Sequence, residues 1–348
     1  MKALERSPLY QLSITRTMGF LREPEAIFWV FAFPILLALA LGIAFRSSGP
    51  QRSMVGIEVG PGSAAVEAAL RAAQGLDVRV LSPEDAATAL RRGKIAVLVR
   101  PGEAGPPVLV FDPARSETRL AQLEVHDALE RAAGREDRVR PRLDNRPRPG
   151  GRYIDFLIPG LLGLNLLGTG MWGIGFPIAN ARQLKLLKRM IATPMRRRDY
   201  LLAFVIARFF WLALEVAVIT AFGWIAFGVV MGGSWTGFVT VSLVGGLTFT
   251  ALGMLVACRA RTIEGVSGIM NLVMMPMWML SGSFFSSERF PAFMQPFIRA
   301  LPLTACNDAL RILYNEGASF AAVLPELGIL VAWGVVSFWL ALWLFRWE

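Results

Sequence analysis

Charged side chains within long apolar runs are the groups in this sequence that are placed to carry chemistry. Arg208 and Glu215 are seven residues apart, about two helical turns, so they share one face of a helix. Glu326 begins another apolar run directly after Pro325. Acids in such helices serve proton relays or contact substrate. The structural alternative, which the sequence favours, is an ion pair between Arg208 and Glu215 and a helix-start acid at Glu326.

Other kinds of chemistry have few candidate groups. His126 is the single histidine, so a histidine-based metal site or a Ser–His triad is not expected. Cys258 and Cys306 form no C-x-x-C pair, and the sequence has no G-x-x-x-x-G-K-[ST] phosphate loop. Asn165 and Asn271 lie in apolar runs, where an amide favours interhelical hydrogen bonds over ligand binding. We therefore expect no enzyme, no metal and no cofactor on this chain.

The composition separates a membrane part from a soluble part. The chain has 348 residues, 54% apolar and 18% charged, with a net charge of +10 and a mean hydropathy of +0.49. A soluble chain has about 25% charged residues. Residues 47–150 hold 16 basic and 14 acidic residues, so most of the excess positive charge belongs to the apolar remainder. This pattern indicates a membrane protein with cationic loops and argues against a soluble, disordered or nucleic-acid-binding protein.

Uncharged runs predict an α-helical polytopic membrane protein with six transmembrane helices, since about 20 apolar residues cross a bilayer. The uncharged run 216–258 is too long for one span, and a turn at 231–235 divides it. The predicted spans are 25–46, 153–180, 200–229, 236–257, 264–284 and 320–345. The first run is longer than the apolar region of a signal peptide, which predicts an uncleaved anchor.

Basic residues in short loops mark the cytoplasmic side of a membrane protein. They occur in the N-terminal segment, between spans 2 and 3, between spans 4 and 5, and after span 6. All four places fall on one side of a six-span chain, whereas the loop between spans 3 and 4 is uncharged. We predict a protein of the cell inner (plasma) membrane with cytoplasmic N and C termini. The polar residues that follow span 1 then lie outside the cytoplasm.

Two further elements flank span 1. Residues 47–152 alternate β-rich and helical runs, which predicts a small extracytoplasmic α/β domain, with a polar linker at 135–152. Within residues 1–24, apolar side chains recur at helical spacing and predict an amphipathic interfacial helix on the cytoplasmic surface. A flexible basic arm is the alternative. The apolar positions of this segment are Tyr10, Ile14, Met18 and Leu21.

The segment 181–198, between spans 2 and 3, combines an apolar helix face with basic positions. The apolar face consists of Leu184, Leu187, Met190 and Ile191, and the basic positions are Arg182, Lys185, Lys188, Arg189 and Arg196. Thr193 and Pro194 end the helix. A short amphipathic helix held between two spans is suited to dock into a groove on a partner. A solvated basic loop that only sets orientation is the alternative, and it leaves the apolar face unexplained.

Three motifs resemble those of ABC-2 type transporter permeases. Residues 190–202, MIATPMRRRDYLL, resemble the signature LLATP(M/V)xRxxxLL, and residues 21–29, LREPEAIFW, followed by Phe33-Pro34, resemble the opening RxPexlFW…FP. Residues 279–291, MLSGSFFSSERFP, with Leu301-Pro-Leu-Thr and Asp308 to Arg311, resemble the re-entrant external hairpin, here 284–317. The order of the motifs, the six spans and the α/β insert between spans 1 and 2 extend the resemblance over essentially the whole chain.

The resemblance implies the membrane subunit of an ABC exporter. A separate cytoplasmic ATPase would bind ATP and Mg, and two identical permease copies would pair with two ATPases. The segment 181–198 would be the coupling helix, and the start of the chain the interfacial elbow helix. One stretch departs from the family, because its acidic ERExGTLE positions are occupied here by Ala181, Gln183, Lys185 and Lys188. This departure predicts a more acidic docking groove on the ATPase.

The expected function is ATP-driven export of a hydrophobic or amphipathic substrate, as in multidrug efflux, along a pathway near the dimer axis. Methionines of span 5 offer an adaptable surface to such a substrate. They are Met270, Met274, Met275, Met277 and Met279. Further expected partners are membrane lipid and a periplasmic partner for residues 47–152, but no nucleic acid. The alternative function is a membrane-anchored envelope sensor or scaffold whose external domain binds a partner.

Overall fold

Six helices in a computed structural model of the chain are long and apolar enough to cross a membrane. The structure describes residues 8–45, 52–73, 75–102, 105–136, 139, 150–184, 197–258 and 262–344. A helix at Pro8–Leu21 (α1) precedes the first span. The spans are α2 (Pro24–Ala44), α6 (Tyr153–Gln183), α7 (Arg197–Phe227), α8 (Trp235–Ala257), α9 (Ile263–Leu280) and α12 (Leu324–Leu344). The predicted fold class of six spans and a small α/β unit is confirmed.

The second span, α6, is the central helix of the membrane unit. It contacts α2, α7, α8 and α9, and 78% of its most apolar stretch is buried within the protein. Glycines on this helix allow the close approach of its neighbours, since a side chain at Gly170 or Gly175 would collide with α8 or α9. The lipid-facing helices have the opposite pattern. Only 22% of the corresponding stretches of α9 and α12 is buried.

The first span begins where the sequence prescribes a helix start. Glu23 has a non-helical backbone, with φ −105° and ψ 87°, because the residue before a proline avoids the helical region. Pro24 then occupies the first turn of α2, where its missing N–H costs no hydrogen bond. Upstream, the ring of Phe20 on α1 lies 4.3 Å from that of Trp211 on α7. Ile14, Met18 and Leu21 of α1 are exposed, and their placement on a membrane surface stays a prediction.

A turn and several short helices follow α9. Span 5 ends at Leu280 instead of the predicted 284, because Gly282 adopts a left-handed backbone with φ +77° that no helix continues. Two 3-10 turns precede α10 (Gln295–Ala300) and α11 (Pro302–Asn315). The inner face of α11 is buried against α6, α8 and α12. The predicted hairpin 284–317 therefore contains a helix that belongs to the core of the membrane unit.

Residues Ser47–Arg146 form a second compact unit with a mixed four-stranded sheet. The strands are β1 (Ser53–Glu58), β2 (Leu76–Leu81), β3 (Val97–Arg100) and β4 (Val108–Phe111), and the helices are α3 (Ser63–Arg71), α4 (Pro83–Arg91) and α5 (Ser116–Ala132). The strand order is β2-β1-β3-β4, parallel except for β4. Alternating side chains of β3 fill two cores: Val97 and Val99 face α3 and α5, and Leu98 faces α4.

Residues 47–146 are expected to fold as an isolated fragment, because both cores are made of their own side chains. Within the fragment, Ser82 caps α4 by accepting the backbone N–H of Asp85 at 3.2 Å. We expect Ser82→Ala to lower the free energy of unfolding by about 1 kcal/mol in chemical denaturation. The control is Arg119→Ala, at an exposed position of α5. An equal effect of both substitutions contradicts the assigned cap.

Candidate functional site

Arg208 and Glu215 meet inside the membrane unit, as their spacing predicts. Both lie on α7, and Arg208 Nη2 donates to Glu215 Oε1 over 3.1 Å. The side chain of Glu215 has no exposed surface, and that of Arg208 is 10% exposed. Hydrocarbon offers no hydrogen bonds to either group, so the two charges depend on each other and on neighbouring protein groups.

Thr169 of α6 closes this pair into a three-residue cluster. Arg208 Nη2 also donates to Thr169 Oγ1 over 2.9 Å, and that oxygen lies 3.1 Å from Glu215 Oε1. Thr169 Oγ1 is also 2.8 Å from the carbonyl oxygen of Asn165. Its single hydroxyl proton can therefore be donated either to that carbonyl or to Glu215 Oε1. The cluster therefore joins span 2 to span 3 deep inside the protein.

Several polar atoms around this cluster have no hydrogen-bond partner within the described part of the chain. They are Glu215 Oε2, Arg208 Nε, Asn165 Nδ2, Trp211 Nε1 and Thr250 Oγ1. A cavity of about 20 Å³ is lined by two of these residues, Arg208 and Thr250, together with Gly246 and other residues. A cavity of this size is large enough for one water molecule. The arrangement thus combines a buried charge pair with unused hydrogen-bonding groups and with room for one water molecule beside Arg208.

Of the other predicted polar residues, one lies beside this cluster and two lie apart from it. Asn165 is buried beside it, with 8% of its surface exposed. Asn271 is on the exposed face of α9. Glu326 is in the first turn of α12, as its helix-start interpretation requires, although its Oε2 atom is buried without a hydrogen-bond partner in the described structure. The structure thus unites Arg208, Glu215 and Asn165 and leaves the other two outside.

The described residues include only the two ends of the predicted coupling segment. Helix α6 ends at Gln183 and α7 begins at Arg197. The backbone of Arg182 belongs to the last turn of α6, and Leu184 follows it with 56% of its surface exposed. The remaining predicted positions lie outside the described residues: Lys185, Leu187, Lys188, Arg189, Met190, Ile191, Thr193, Pro194 and Arg196. Their helix and its docking role stay predictions.

A second polar cluster, centred on Asn307 of α11, was missed by the sequence reasoning. Asn307 is fully buried, and its Nδ2 atom donates to the carbonyl of Ser281 over 3.2 Å and to Ser283 Oγ over 2.8 Å. One turn later, Arg311 donates to the carbonyl of Gly282 and lies 3.7 Å above the ring of Phe156. The inner face of α11 thereby holds the turn that ends span 5.

Glycines of α6 make room for this second cluster. The Oδ1 atom of Asn307 lies directly against Gly163, and the carbonyl of Ser283 lies against Gly160. Such close contact leaves no space for a side chain at either position. Two glycines spaced i, i+3 in an apolar helix were the available sequence signal, since small residues mark helix contacts in membranes.

A larger apolar cavity, of about 590 Å³, lies between α7 and α8. Its size is within the range of small-molecule sites. The lining is almost entirely apolar, with Trp224, Trp235 and Phe238 among the aromatic side chains and Thr220 and Ser242 as the hydroxyl groups. Such a surface suits an apolar chain with few polar groups.

Removal of one charge from the Arg208–Glu215 pair is expected to destabilise the membrane unit by about 3–5 kcal/mol, because the other charge is left buried alone. Glu215→Leu should therefore lower the thermal unfolding midpoint in detergent far more than the double variant Arg208→Met with Glu215→Leu. A double variant that is no more stable than the single variant rules out the inferred dependence of the two charges on each other.

Gly163→Ala is expected to lower the unfolding midpoint, because its methyl group would collide with Asn307 Oδ1. Gly168→Ala is the matched control on the same helix, since nothing lies within 4 Å of a side chain placed there. Alanine favours a helix over glycine by about 1 kcal/mol, so the control should be neutral or stabilising. The packing model fails if both variants unfold at the same temperature.

Comparison with known proteins places the chain in a family. YadH, an inner membrane transport permease of Escherichia coli K12, is 24% identical over 198 residues, which cover 56% of this chain and 75% of YadH. The linearmycin resistance permease protein LnrN of Bacillus subtilis 168 is 26% identical over 170 residues, 48% of this chain and 43% of LnrN. Nodulation protein J of Rhizobium meliloti 1021 is 34% identical over 101 residues, 29% of this chain and 38% of that protein.

A family model described as ABC-2 family transporter protein matches residues 24–343. The match begins at the first residue of α2 and extends into the last turn of α12, so it reaches all six spans. It agrees with the three sequence motifs, which lie at the start of span 1, before span 3 and after span 5. The chain therefore belongs to the ABC-2 family of transporter proteins and is a multi-pass membrane protein.

Proposed function

We propose that this protein is the permease subunit of an ATP-driven exporter in the cell inner membrane. It moves a hydrophobic or amphipathic substrate out of the cytoplasm and performs no catalysis itself. A separate cytoplasmic ATPase binds ATP and Mg, hydrolyses the ATP and docks on the segment 181–198. Membership in a transporter family and similarity to YadH, which is named an inner membrane transport permease, support this proposal.

The observation that carries the proposal is the connection between the two helices that flank the docking segment. Residues 184–196 link α6 to α7, and Thr169, Arg208 and Glu215 tie the same two helices together inside the membrane unit. Thr169 precedes the end of α6 by 14 residues, about 21 Å of helix. A displacement of residues 184–196 is therefore transmitted to α6 and α7 together, which is what an ATPase-driven transporter requires.

The distribution of charge supports the proposed orientation. Both termini and the docking segment are cytoplasmic in this scheme, and the α/β unit is outside, available to a periplasmic partner. The positions at which the family carries acids hold Ala181, Gln183, Lys185 and Lys188 here. We expect the groove of the partner ATPase to be correspondingly acidic, because buried lysines need opposite charges.

The apolar surfaces support a hydrophobic or amphipathic substrate. Met275 and Met279 expose 63% and 70% of their surface on α9, whereas Met270, Met274 and Met277 are buried in the core. The cavity between α7 and α8 offers a further apolar surface. One relative, LnrN, is named a linearmycin resistance permease protein, which is consistent with outward transport. Two copies of the chain, embedded in lipid, would complete the exporter.

The docking role is tested by the double substitution Met190→Asp with Ile191→Asp. We expect it to abolish association with the partner ATPase, because two carboxylates on the apolar face cannot enter an acidic groove. Association is measured by copurification from detergent, and ATP turnover in reconstituted vesicles should fall to the level of the ATPase alone.

The matched control is Phe293→Asp with Phe297→Asp. Both phenylalanines are exposed, by 74% and 76%, in the segment after span 5, on the predicted outer side. We expect this control to retain the ATPase. Undiminished copurification of the Met190 and Ile191 variant excludes the docking role of the segment.

A further inference from the structure

The 590 Å³ cavity between α7 and α8 is a groove that occupies one half of the membrane unit. Its lining on α7 runs from Leu212 to Trp224, about 18 Å of helix, and its lining on α8 from Trp235 to Leu243. Both stretches belong to the helix halves that the loop 228–234 joins, opposite the docking segment. Since the hydrocarbon core of a bilayer is about 30 Å thick, the groove is about as long as one leaflet is deep.

Different partners hold the two helix ends beside this groove. Arg152 Nη1 donates to the carbonyl of Phe227 over 2.9 Å, which ties the end of α7 to the start of α6. At the start of α8, the backbone N–H of Ser234 donates instead to the carbonyl of Ala318, over 3.2 Å, just before α12. The separation of the two helix ends is therefore built into the fold.

The two hydroxyl groups of the lining are engaged or buried. Thr220 Oγ1 accepts a hydrogen bond of 3.1 Å from the hydroxyl of Tyr314 on α11, and the Tyr314 ring packs edge-on against Phe238 of the opposite wall. Ser242 is buried together with its Oγ atom. The groove thus presents an almost purely hydrocarbon surface. A molecule with several polar groups would lose its hydrogen bonds to water there, whereas an alkyl chain has none to lose.

Two tryptophans mark the open end of the groove. Trp224 lies one turn before the end of α7, Trp235 is the first residue of α8, and each exposes 62% of its surface. Indole rings are enriched where hydrocarbon meets the lipid headgroups, because their body is apolar and their N–H needs a polar partner. At the inner end, Leu212 packs against Gly246 and brings α7 and α8 together. The groove therefore runs from the headgroup level to about the middle of the bilayer.

We propose that this groove binds one acyl chain of a phospholipid from the leaflet opposite the docking segment, which is the outer leaflet in the proposed orientation. The headgroup lies beside Trp224 and Trp235, and the chain extends between α7 and α8 to Leu212. Cargo from the cytoplasm is a poor occupant, because it would have to pass the contact of Leu212 with Gly246. The inference goes beyond the proposed function and depends on it only for which leaflet is the outer one.

The bound chain stabilises the spacing of α7 from α8. Its end meets the contact of Leu212 with Gly246, and Leu212 is one helical turn from Arg208 of the buried charge pair. Leu212 also lines the small cavity beside Arg208. The lipid thus supports α7 at the depth of the polar cluster that joins it to α6.

Photolabelling of the full chain in vesicles tests the site. The probe is a phosphatidylcholine whose acyl chain carries a diazirine near its end, and the labelled residues are located by mass spectrometry. We expect residues 212–217 of α7 to be labelled several-fold more than residues 332–336 of α12. The α12 stretch is mostly exposed and lies at a comparable depth, so it reports the labelling by bulk lipid.

Ala217→Trp and Ala332→Trp form a matched pair of variants. Both alanines are exposed, but Ala217 lines the groove and Ala332 lies on lipid-facing α12. Ala217→Trp fills the groove and should lower the labelling of α7 to that of α12, whereas Ala332→Trp should leave it unchanged. Ala213→Leu, a smaller addition to the same lining, should cause a partial loss and replaces Ala217→Trp if the tryptophan prevents folding.

A cysteine in the groove tests for water. Ala217→Cys should resist a membrane-impermeant maleimide, because an acyl chain excludes water from its surroundings. The native Cys258 and Cys306 are both buried. Burial and, after it, the negative charge of Asp308 raise the pKa of the Cys306 thiol to about 12, so it does not react near neutral pH.

Three results overturn the lipid site. They are equal labelling of α7 and α12 in the unmodified chain, undiminished labelling of α7 in both groove-filling variants, and rapid modification of Ala217→Cys, which assigns the groove to a water-filled pathway. The labelling needs neither the ATPase nor transport. A negative result therefore leaves the exporter assignment intact, and the Met190 and Ile191 variant tests that assignment independently.

Discussion

The fully buried carboxylate of Glu215 sets the strictest requirement on this membrane unit. Its charge is tolerated only because Arg208 lies two turns away on the same helix and Thr169 approaches from the neighbouring one. A buried pair of this kind contributes little net stability, but loss of either partner is costly. The register between α6 and α7 is therefore fixed, since a shift of either helix would separate the three groups.

Helix α6 extends this constraint to the rest of the unit. Within ten residues of this helix, Gly160 packs against the turn after α9, Gly163 packs against α11, and Thr169 forms a hydrogen bond with α7. Asn307 and Arg311 hold that turn from the other side through backbone carbonyls. The central helix is thus bound to its neighbours by polar groups in two places and by apolar packing between them. A movement of α6 must be shared by α7 and α11, which is the mechanical property a driven transporter needs.

Hydropathy alone predicts the six spans, because each helix must be apolar for the length of a bilayer. The predicted span ends differ from the observed ones mainly where a glycine with a left-handed backbone ends the helix, as Gly282 does after span 5. The pairing of Arg208 with Glu215 also follows from helical spacing. Asn307 could not be found in this way, because its role depends on a turn 24 to 26 residues earlier in the chain and on two glycines of another helix.

Three of the asparagines of the membrane unit illustrate what sequence leaves undecided. Asn165 and Asn271 lie in apolar runs, where an amide is expected to form a hydrogen bond between helices, whereas Asn307 precedes the charged Asp308 and lacks that sequence signal. Two are buried, and both contribute to polar clusters through a side chain or a carbonyl. Asn271 is exposed instead. Among the described residues neither Asn165 Nδ2 nor the Asn271 side chain has a hydrogen-bond partner, although one is buried and the other exposed, so an asparagine within an apolar run does not by itself reveal its surroundings.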